Sequence, residues 1–301
     1  MKSLLDITSL STQCVHQLFN RASDFKKKLQ QKKLLPHQPN QHIMVNLFYE
    51  PSTRTQYSFD IAAHHLGIKT INPDMSGLSH RKGESLEDTV RTFQQMGADL
   101  FTIRHQTSHT PHKLSHACQA RVINAGDGNH QHPSQALIDA FTILQHKNTI
   151  ADLNIAILGD IAQSRVARSN IELLTKLGVQ NIRTISPEEL SQDSPLPNTQ
   201  HFTCTAEGLQ QCDVVMALRI QFERHDKNLS LDVSNYSKRY KLTQELLTHA
   251  HQDAIVLHPG PVNRNVEICE KIIHSQRSKI SDQVANGVAI RMAIIDQMIS
   301  T

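Results

Sequence analysis

The chain has 301 residues, 38% of them apolar and 20% charged, with a formal net charge of +3. That length suits two α/β domains of about 150 residues each, both large enough to bury a core without disulfides or metals, and the composition excludes a disordered chain. The absence of Trp, with only four Tyr, argues against an aromatic platform for single-stranded nucleic acid, and the small, scattered charge argues against a nucleic-acid binder of any kind.

Val15, Leu18, Phe19, Ala22 and Phe25 recur at helical spacing and predict a first helix over about 11–30. Its lysines (Lys26, Lys27, Lys28, then Lys32 and Lys33) read as a solvated face. A Pro-bearing linker from Leu35 to Asn40 ends it, and the apolar run Ile43 to Phe48 predicts a buried strand. Ser52 to Leu66 reads as a helix stopped by Gly67, Ile68 to Ile71 as a strand, and Ser85 to Met96 as a helix closed by Gly97. Leu100 to Arg104 and Val122 to Ala125 are further strands, and Leu137, Ile138, Phe141 and Leu144 mark a helix over about 134–148. A second series follows: strand 155–158, helix 166–177 closed by Gly178, strands 182–185, 214–218 and 255–258, and a last helix over about 282–298. Regular alternation of strands and helices predicts an α/β chain of two doubly wound domains with mainly parallel sheets. The boundary is expected within or beside the helix at 134–148. In such folds the active site lies at the carboxyl ends of the strands, and the polar clusters of this chain fall there repeatedly.

The five cysteines are scattered, odd in number and without CxxC spacing, which fits a reducing cytoplasm and neither a disulfide framework nor a zinc–cysteine site. The N-terminal residues have no apolar core of the signal-peptide kind, and no run approaches the ~18 apolar residues of a membrane span. Nineteen histidines are many. His64-His65 and His130/His132 raise the question of metal, but there is no HExxH and no Cys/His ligand set, so most read as surface composition and no metal or organic cofactor is expected.

The most informative stretch is Phe48-Tyr49-Glu50-Pro51-Ser52-Thr53-Arg54-Thr55. It follows an apolar strand and opens a helix, whose first N–H groups and positive dipole end suit an anion. Ser52, Thr53 and Thr55 add hydroxyl donors, and Arg54 adds a planar fork matched to phosphate oxygens. Alone, such a string is an ordinary N-cap with a surface arginine. Further on stand Arg81-Lys82-Gly83-Glu84-Ser85-Leu86, Ile103-Arg104-His105, Asn124 to Leu137 with His132-Pro133-Ser134-Gln135, Gly159-Asp160 to Arg165, Leu218-Arg219-Ile220-Gln221, and His258-Pro259-Gly260-Pro261. The turn after strand 155–158 lacks the Gly-x-Gly-x-x-Gly of a dinucleotide-binding domain. His132 and Gln135, at i and i+3 of a helix start with Pro133 in its first turn, share one face.

In that order the segments resemble the signature of the aspartate and ornithine transcarbamoylases, over nearly the whole chain. The resemblance implies a carbamoyl-phosphate domain over 1–135 with a C-terminal helix (285–301) packing back on it, and an acceptor domain over 136–284. It implies that Ser52, Thr53, Arg54, Thr55 and Arg104 hold the phosphate. Thr55, Arg104 and His132 would then donate to the carbonyl oxygen, and Gln135 with the Pro259-Gly260-Pro261 loop would hold the carbamoyl NH2. Lys82, Arg165, Arg219 and Gln221 match acceptor-binding positions. His-Pro-Gly-Pro resembles the aspartate branch, whereas the ornithine branch carries His-Cys-Leu-Pro and an Asp-x-x-x-Ser-Met-Gly loop absent here, so the expected amine is L-aspartate. A cationic pocket would also repel ornithine's side chain. The branch further implies the first committed step of pyrimidine synthesis and a homotrimer whose Lys82 loop, preceded by Ser76 or Ser79, enters a neighbour's site. Regulatory or dihydroorotase chains are possible partners in it. The rivals are a transcarbamoylase for another amine, such as ornithine, and a catalytically silent scaffold. The latter should have lost a phosphate or oxyanion residue, and none is missing.

Overall fold

A computed structural model describes residues 1–32, 41–75, 83–191, 198–221 and 232–300. The linker 35–40 and the loop residues Ser76, Ser79 and Lys82 lie outside them. The chain divides into two compact units: unit 1 comprises Met1–Leu137 and Val284–Thr301, unit 2 Ile138–Gln283.

Unit 1 runs α1 (Thr12–Gln30), β1 (Ile43–Phe48), α2 (Thr53–His65), β2 (Lys69–Ile71), α3 (Leu86–Gln95), β3 (Leu100–His105), α4 (Thr110–Ala117) and β4 (Arg121–Asp127), then enters α5 (Pro133–Lys147). The strands pair in parallel in the order β2-β1-β3-β4. Strands β1, β3 and β4 are buried along almost their whole length, without alternation, as strands covered on both faces are. Val45, Leu47, Phe101, Ile103 and Val122 are fully buried, packed with Val90 of α3 and Leu114 of α4. Ser11 and Ser85 cap α1 and α3 by accepting from the N–H groups of Cys14 and Asp88.

The last helix, α11 (Ile280–Ile299), is buried on every side over residues 289–295 and is rich in apolar residues there; Ile290, Ala293, Ile294, Ile295 and Met298 have no exposed surface. It packs on the N-terminal helices of unit 1. Asp296 pairs with Arg21 of α1, Gln297 Nε2 donates to Cys14 Sγ at 3.5 Å, and the Arg291 guanidinium lies 4.9 Å from the centroid of the Phe59 ring in α2. No described helix is long and apolar enough to cross a membrane.

Unit 2 continues from α5 through β5 (Asn154–Leu158), α6 (Arg165–Lys176), β6 (Asn181–Ile185), β7 (Thr199–Phe202), α7 (Thr205–Gly208), β8 (Val214–Ala217), α8 (Val233–Tyr240), α9 (Gln244–Leu247), β9 (Ile255–Leu257) and α10 (Glu270–Ile273) to the start of α11. Its parallel sheet has the order β7-β6-β5-β8-β9. Ala156, Leu158, Ile185, Val215, Val256 and the stacked Tyr236 and Tyr240 form its core. A buried polar chain crosses it: Asn170 Nδ2 and Gln283 Nε2 donate to the two oxygens of Asp139 at 2.9 and 2.7 Å, and Gln283 Oε1 accepts from the N–H of His258 at 2.9 Å.

All five cysteines are free thiols. Burial, with Asp213 adding to it and Arg183 opposing, pushes the Cys212 thiol up to about 11. Since the thiolate is the reactive form, iodoacetamide at pH 8 is expected to alkylate the exposed Cys204 in the native protein and to reach Cys212 only after unfolding. Mass spectrometry of the labelled peptides checks this, and equal native labelling of both would contradict it.

Candidate active site

In each unit the sequence-predicted residues follow the carboxyl ends of strands, and Ser52–Thr55, Arg104, Arg165 and Arg219 do so where the strand order reverses. In unit 1 the chain goes from β1 to β2 on one side and then to β3 and β4 on the other, which opens a crevice at the carboxyl ends of β1 and β3. Ser52–Thr55 follow β1, and Arg104 lies at the end of β3 in register with Phe48 of β1. The β3–β4 pairing shifts register between Ile103 and His105, and such an irregularity re-aims the side chain at its centre, here Arg104. Arg104 Nη1 donates to Ala125 O at 3.1 Å, and its Nε lies 3.4 Å from Glu50 Oε2. A guanidinium held from β4 on one side and the β1–α2 turn on the other has little rotamer freedom left to lose.

Ser52 occupies the N-cap of α2, yet its hydroxyl makes no capping bond, unlike Ser11, Ser85 and Ser164, which all cap. The ordinary cap reading therefore does not account for it. The first N–H groups of α2 have no partner within the helix and sit at its positive end. Thr55 is buried while Thr53 and Arg54 are exposed. Beside them Tyr49 packs edge-on against His105 at 5.1 Å between ring centroids. Burial, helped by the Glu84 charge, pushes the Tyr49 hydroxyl up to about 12. Burial also pushes His105 below the ordinary histidine value, leaving Nδ1 to accept from Thr107 N–H at 2.9 Å.

His132 and Gln135 come from the loop after β4. Asp127 ends that strand and organises the turn. Its Oδ1 accepts from Asn124 Nδ2 at 2.8 Å and from Gln131 N–H at 3.1 Å, and its backbone N–H donates to Gln131 O at 3.1 Å. The turn delivers His132 to the N-terminus of α5, where Gln135 N–H donates to His132 O at 3.0 Å. Both side chains are more than nine-tenths buried.

In unit 2 the order reverses between β5 and β8. Arg165 is the first residue of α6, after β5, and Arg219 follows β8. Arg165 is 3% exposed, the opposite of the loose surface arginine that the bare sequence also allows. Asp160, fully buried, ties the two segments together: Oδ1 accepts from Gln163 N–H at 3.2 Å and Oδ2 from Gln221 N–H at 3.1 Å. Gln221 Nε2 donates to Gln163 O at 3.2 Å. Asp160 is a positioning residue that sequence reasoning did not single out. Asp160→Asn, which puts a donor where an acceptor is needed, is expected to cost about 2 kcal/mol of stability. Denaturant melts compared with the parent check this, and a change below about 0.5 kcal/mol would rule out the tether.

The Pro259-Gly260-Pro261 loop after β9 is also held by residues outside its motif. Gly260 N–H donates to His258 Nδ1 at 2.9 Å, which leaves the ring proton on Nε2, 3.2 Å from Glu267 Oε1. Glu267 Oε1 also accepts from Asn263 N–H at 2.6 Å. His258 and Glu267 are both about 1% exposed, so the loop backbone rests on a buried, hydrogen-bonded pair. The Gly260–Pro261 bond is cis. Lys82, with Ser76 and Ser79 before it, lies outside the described residues.

Comparison with known proteins gives the family. Residues 2–145 match the model of the aspartate/ornithine carbamoyltransferase carbamoyl-P binding domain, and residues 151–298 match that of the family's Asp/Orn binding domain. The chain is 44% identical over 295 residues to the aspartate carbamoyltransferase catalytic subunit of Coxiella burnetii, covering 97% of this chain and 94% of that one. It is also 44% identical over 299 residues to the subunit of the same name from Acetivibrio thermocellus, covering 98% and 94%. Among solved structures, aspartate transcarbamoylase from Trypanosoma cruzi, in complex with carbamoyl aspartate and phosphate, superposes with a TM-score of 0.90 at 28% identity, covering 98% of this chain and 94% of that one. The chain belongs to the aspartate/ornithine carbamoyltransferase family.

Proposed function

We propose that the protein is an aspartate carbamoyltransferase, which moves the carbamoyl group of carbamoyl phosphate to the amine of L-aspartate and releases N-carbamoyl-L-aspartate and phosphate. The observation that carries this reading is the placement of cations at the reversal point of each sheet: Arg54 and Arg104 in unit 1, and Arg165 and Arg219 in unit 2. One set suits a phosphate and the other an acceptor that bears two carboxylates. The curated relatives of near-full length are aspartate carbamoyltransferase catalytic subunits, which supports aspartate over ornithine.

Carbamoyl phosphate is a mixed anhydride, so its carbonyl is already activated. The amine nitrogen bonds to the carbonyl carbon, a tetrahedral intermediate forms, and the C–O bond to phosphate breaks with the electron pair leaving on phosphate while the amine sheds a proton. No covalent enzyme intermediate is required, and the protein's work is alignment and charge stabilisation. The α2 N-terminus with Ser52, Thr53, Arg54 and Thr55 holds the phosphate, with Arg104. Thr55, Arg104 and His132 donate to the carbonyl oxygen as negative charge builds on it. Gln135 and the 259–261 loop fix the carbamoyl NH2, and Lys82, Arg165, Arg219 and Gln221 bind the acceptor's carboxylates. The same reading places the enzyme in the cytoplasm, in pyrimidine synthesis, as a homotrimer whose Lys82 loop completes a neighbour's site.

The test is carbamoyl transfer by the purified protein with carbamoyl phosphate and either L-aspartate or L-ornithine. Carbamoyl aspartate is the expected product. Citrulline would overturn the roles given to Arg165 and Arg219 while leaving the phosphate site standing, and no product with either amine would favour a silent scaffold.

A further inference from the structure

Four side chains with no part in the proposed transfer converge in unit 1: His109, just before α4; His112, within it; Asp127, at the end of β4; and His130, in the following turn. One ligand atom from each lies within 4.8 Å of those from the other three. The rings of His109 and His130 are 3.9 Å apart between centroids, and His112 is within 5.8 Å of both. We propose that His109, His112, Asp127 and His130 form a site for one divalent first-row transition ion, with Zn2+ the best fit. Three imidazoles and one carboxylate make a set of four nitrogen and oxygen donors, the ligand types and number that tetrahedral Zn2+ takes. They are a poor match for Mg2+ or Ca2+, which prefer oxygen.

The surroundings already hold these groups as metal ligands are held, by carboxylates and backbone around them. Asp6 Oδ2 lies 2.7 Å from His112 Nε2. The other ring nitrogen of His112, Nδ1, is buried without a hydrogen-bond partner, an arrangement that calls for an explanation in a folded protein. With Asp6 accepting the Nε2 proton, Nδ1 presents a lone pair. Asp127 is fully buried and fixed by Asn124 and by the backbone N–H groups of Gln131 and of His109, the last at 2.6 Å. Its Oδ2 is 3.1 Å from His130 Nδ1. A tetrahedral ion with bonds of about 2.0–2.1 Å places its ligand atoms roughly 3.4 Å apart. Closing from the observed spacing therefore takes side-chain torsions and no movement of the strands. The ion would pin the turn 127–131 that delivers His132, so its role is structural.

The test uses full-length protein, freed of any affinity tag, stripped with a chelator and titrated calorimetrically with ZnCl2. One ion per chain is expected. His109→Asn/His112→Ala should lose that one-to-one binding; asparagine is chosen because His109 has φ of 65°, which asparagine tolerates. Asp6→Asn should weaken binding about 10-fold. His251→Ala, at a separate group with Asp213 and Asp253, should leave it unchanged. Co2+ in place of Zn2+ should give the intense visible absorption of a four-coordinate site. Weak uptake that is equal in parent and double variant, or a loss in His251→Ala instead, would mean surface histidines only and would overturn the site. Should the double variant melt early without metal, His112→Ala alone decides. None of these readouts involves carbamoyl transfer, so this proposal and the proposed function fail separately.

Discussion

Arg54→Ala is expected to lower kcat/KM for carbamoyl phosphate by about 10³-fold and to leave thermal unfolding unchanged. The side chain is exposed, at the second residue of α2, so its loss opens no cavity and strands no buried partner. Surface changes of that kind usually alter stability by less than about 0.5 kcal/mol. Its catalytic value would come from the fork geometry. Two charge-assisted bonds to phosphate oxygens contribute roughly 4 kcal/mol together, and about 1.4 kcal/mol corresponds to each factor of ten. Arg54→Lys keeps the charge and loses the fork, so it should recover only part of the rate. Steady-state kinetics at varied carbamoyl phosphate, paired with melting curves, separate the outcomes. A loss under tenfold would remove Arg54 from the phosphate site, and a matching drop in melting temperature would make its role structural.

The parts of this chain legible in the sequence are those that strong local patterns encode. Ile43 to Phe48, but for Asn46, and Ile155 to Leu158 are apolar because these inner strands are buried on both faces. Helices α1, α3 and α6 carry serine caps, and α3 and α6 end just before Gly97 and Gly178. The elements that escaped are weakly patterned. Helix α4 is short, carries Pro111 in its first turn, and has Leu114 as its one buried aliphatic side chain. Strand β7 lies at the sheet edge with none of its residues buried, so it shows neither an apolar run nor alternation. Helix α8 buries two tyrosines among polar residues, a signal too sparse for periodicity.

The candidate site divides in the same way. Ser52–Thr55, Arg104, His132, Gln135, Arg165 and Arg219 stand in short motifs and could be named from the sequence. Their supports could not. Asp160 reaches Gln221 across 61 residues, and the Asp6–His112 contact spans 106; such pairs exist only once the sheets have formed. The same holds for His109, His112, Asp127 and His130, which come from two chain segments that β3 and β4 bring side by side. In the sequence His130 reads as surface composition. In the structure it adjoins a buried carboxylate.

Gly159→Ala is expected to destabilise unit 2 by about 4 kcal/mol and to weaken acceptor binding with it. Gly159 ends β5 at the reversal point with φ of 133°, and a Cβ there would stand 2.7 Å from Leu218 O and 3.1 Å from Leu218 Cβ. Neither can move freely. Leu218 N–H donates to Leu158 O at 2.7 Å, and Gly159 N–H donates to Ile185 O at 3.0 Å, so the collision is with backbone locked into the sheet. The positive φ alone costs an alanine roughly 1–3 kcal/mol, and overlap with a fixed carbonyl adds an overpacking cost of about 1–3 kcal/mol. Relief by displacing Leu218 would shift the adjoining Arg219 and strain the Asp160–Gln221 tether. The clean comparison is Gly97→Ala, where φ is 98° and a Cβ would meet nothing within 4 Å; that variant isolates the backbone term. If the difference between the two is real, Gly159→Ala melts lower by about 5–10 °C more and shows a raised KM for L-aspartate with the KM for carbamoyl phosphate less affected. Equal melting temperatures for the two alanine variants would mean that the β5–β8 crossover yields without strain, and Gly159 would then hold nothing in place.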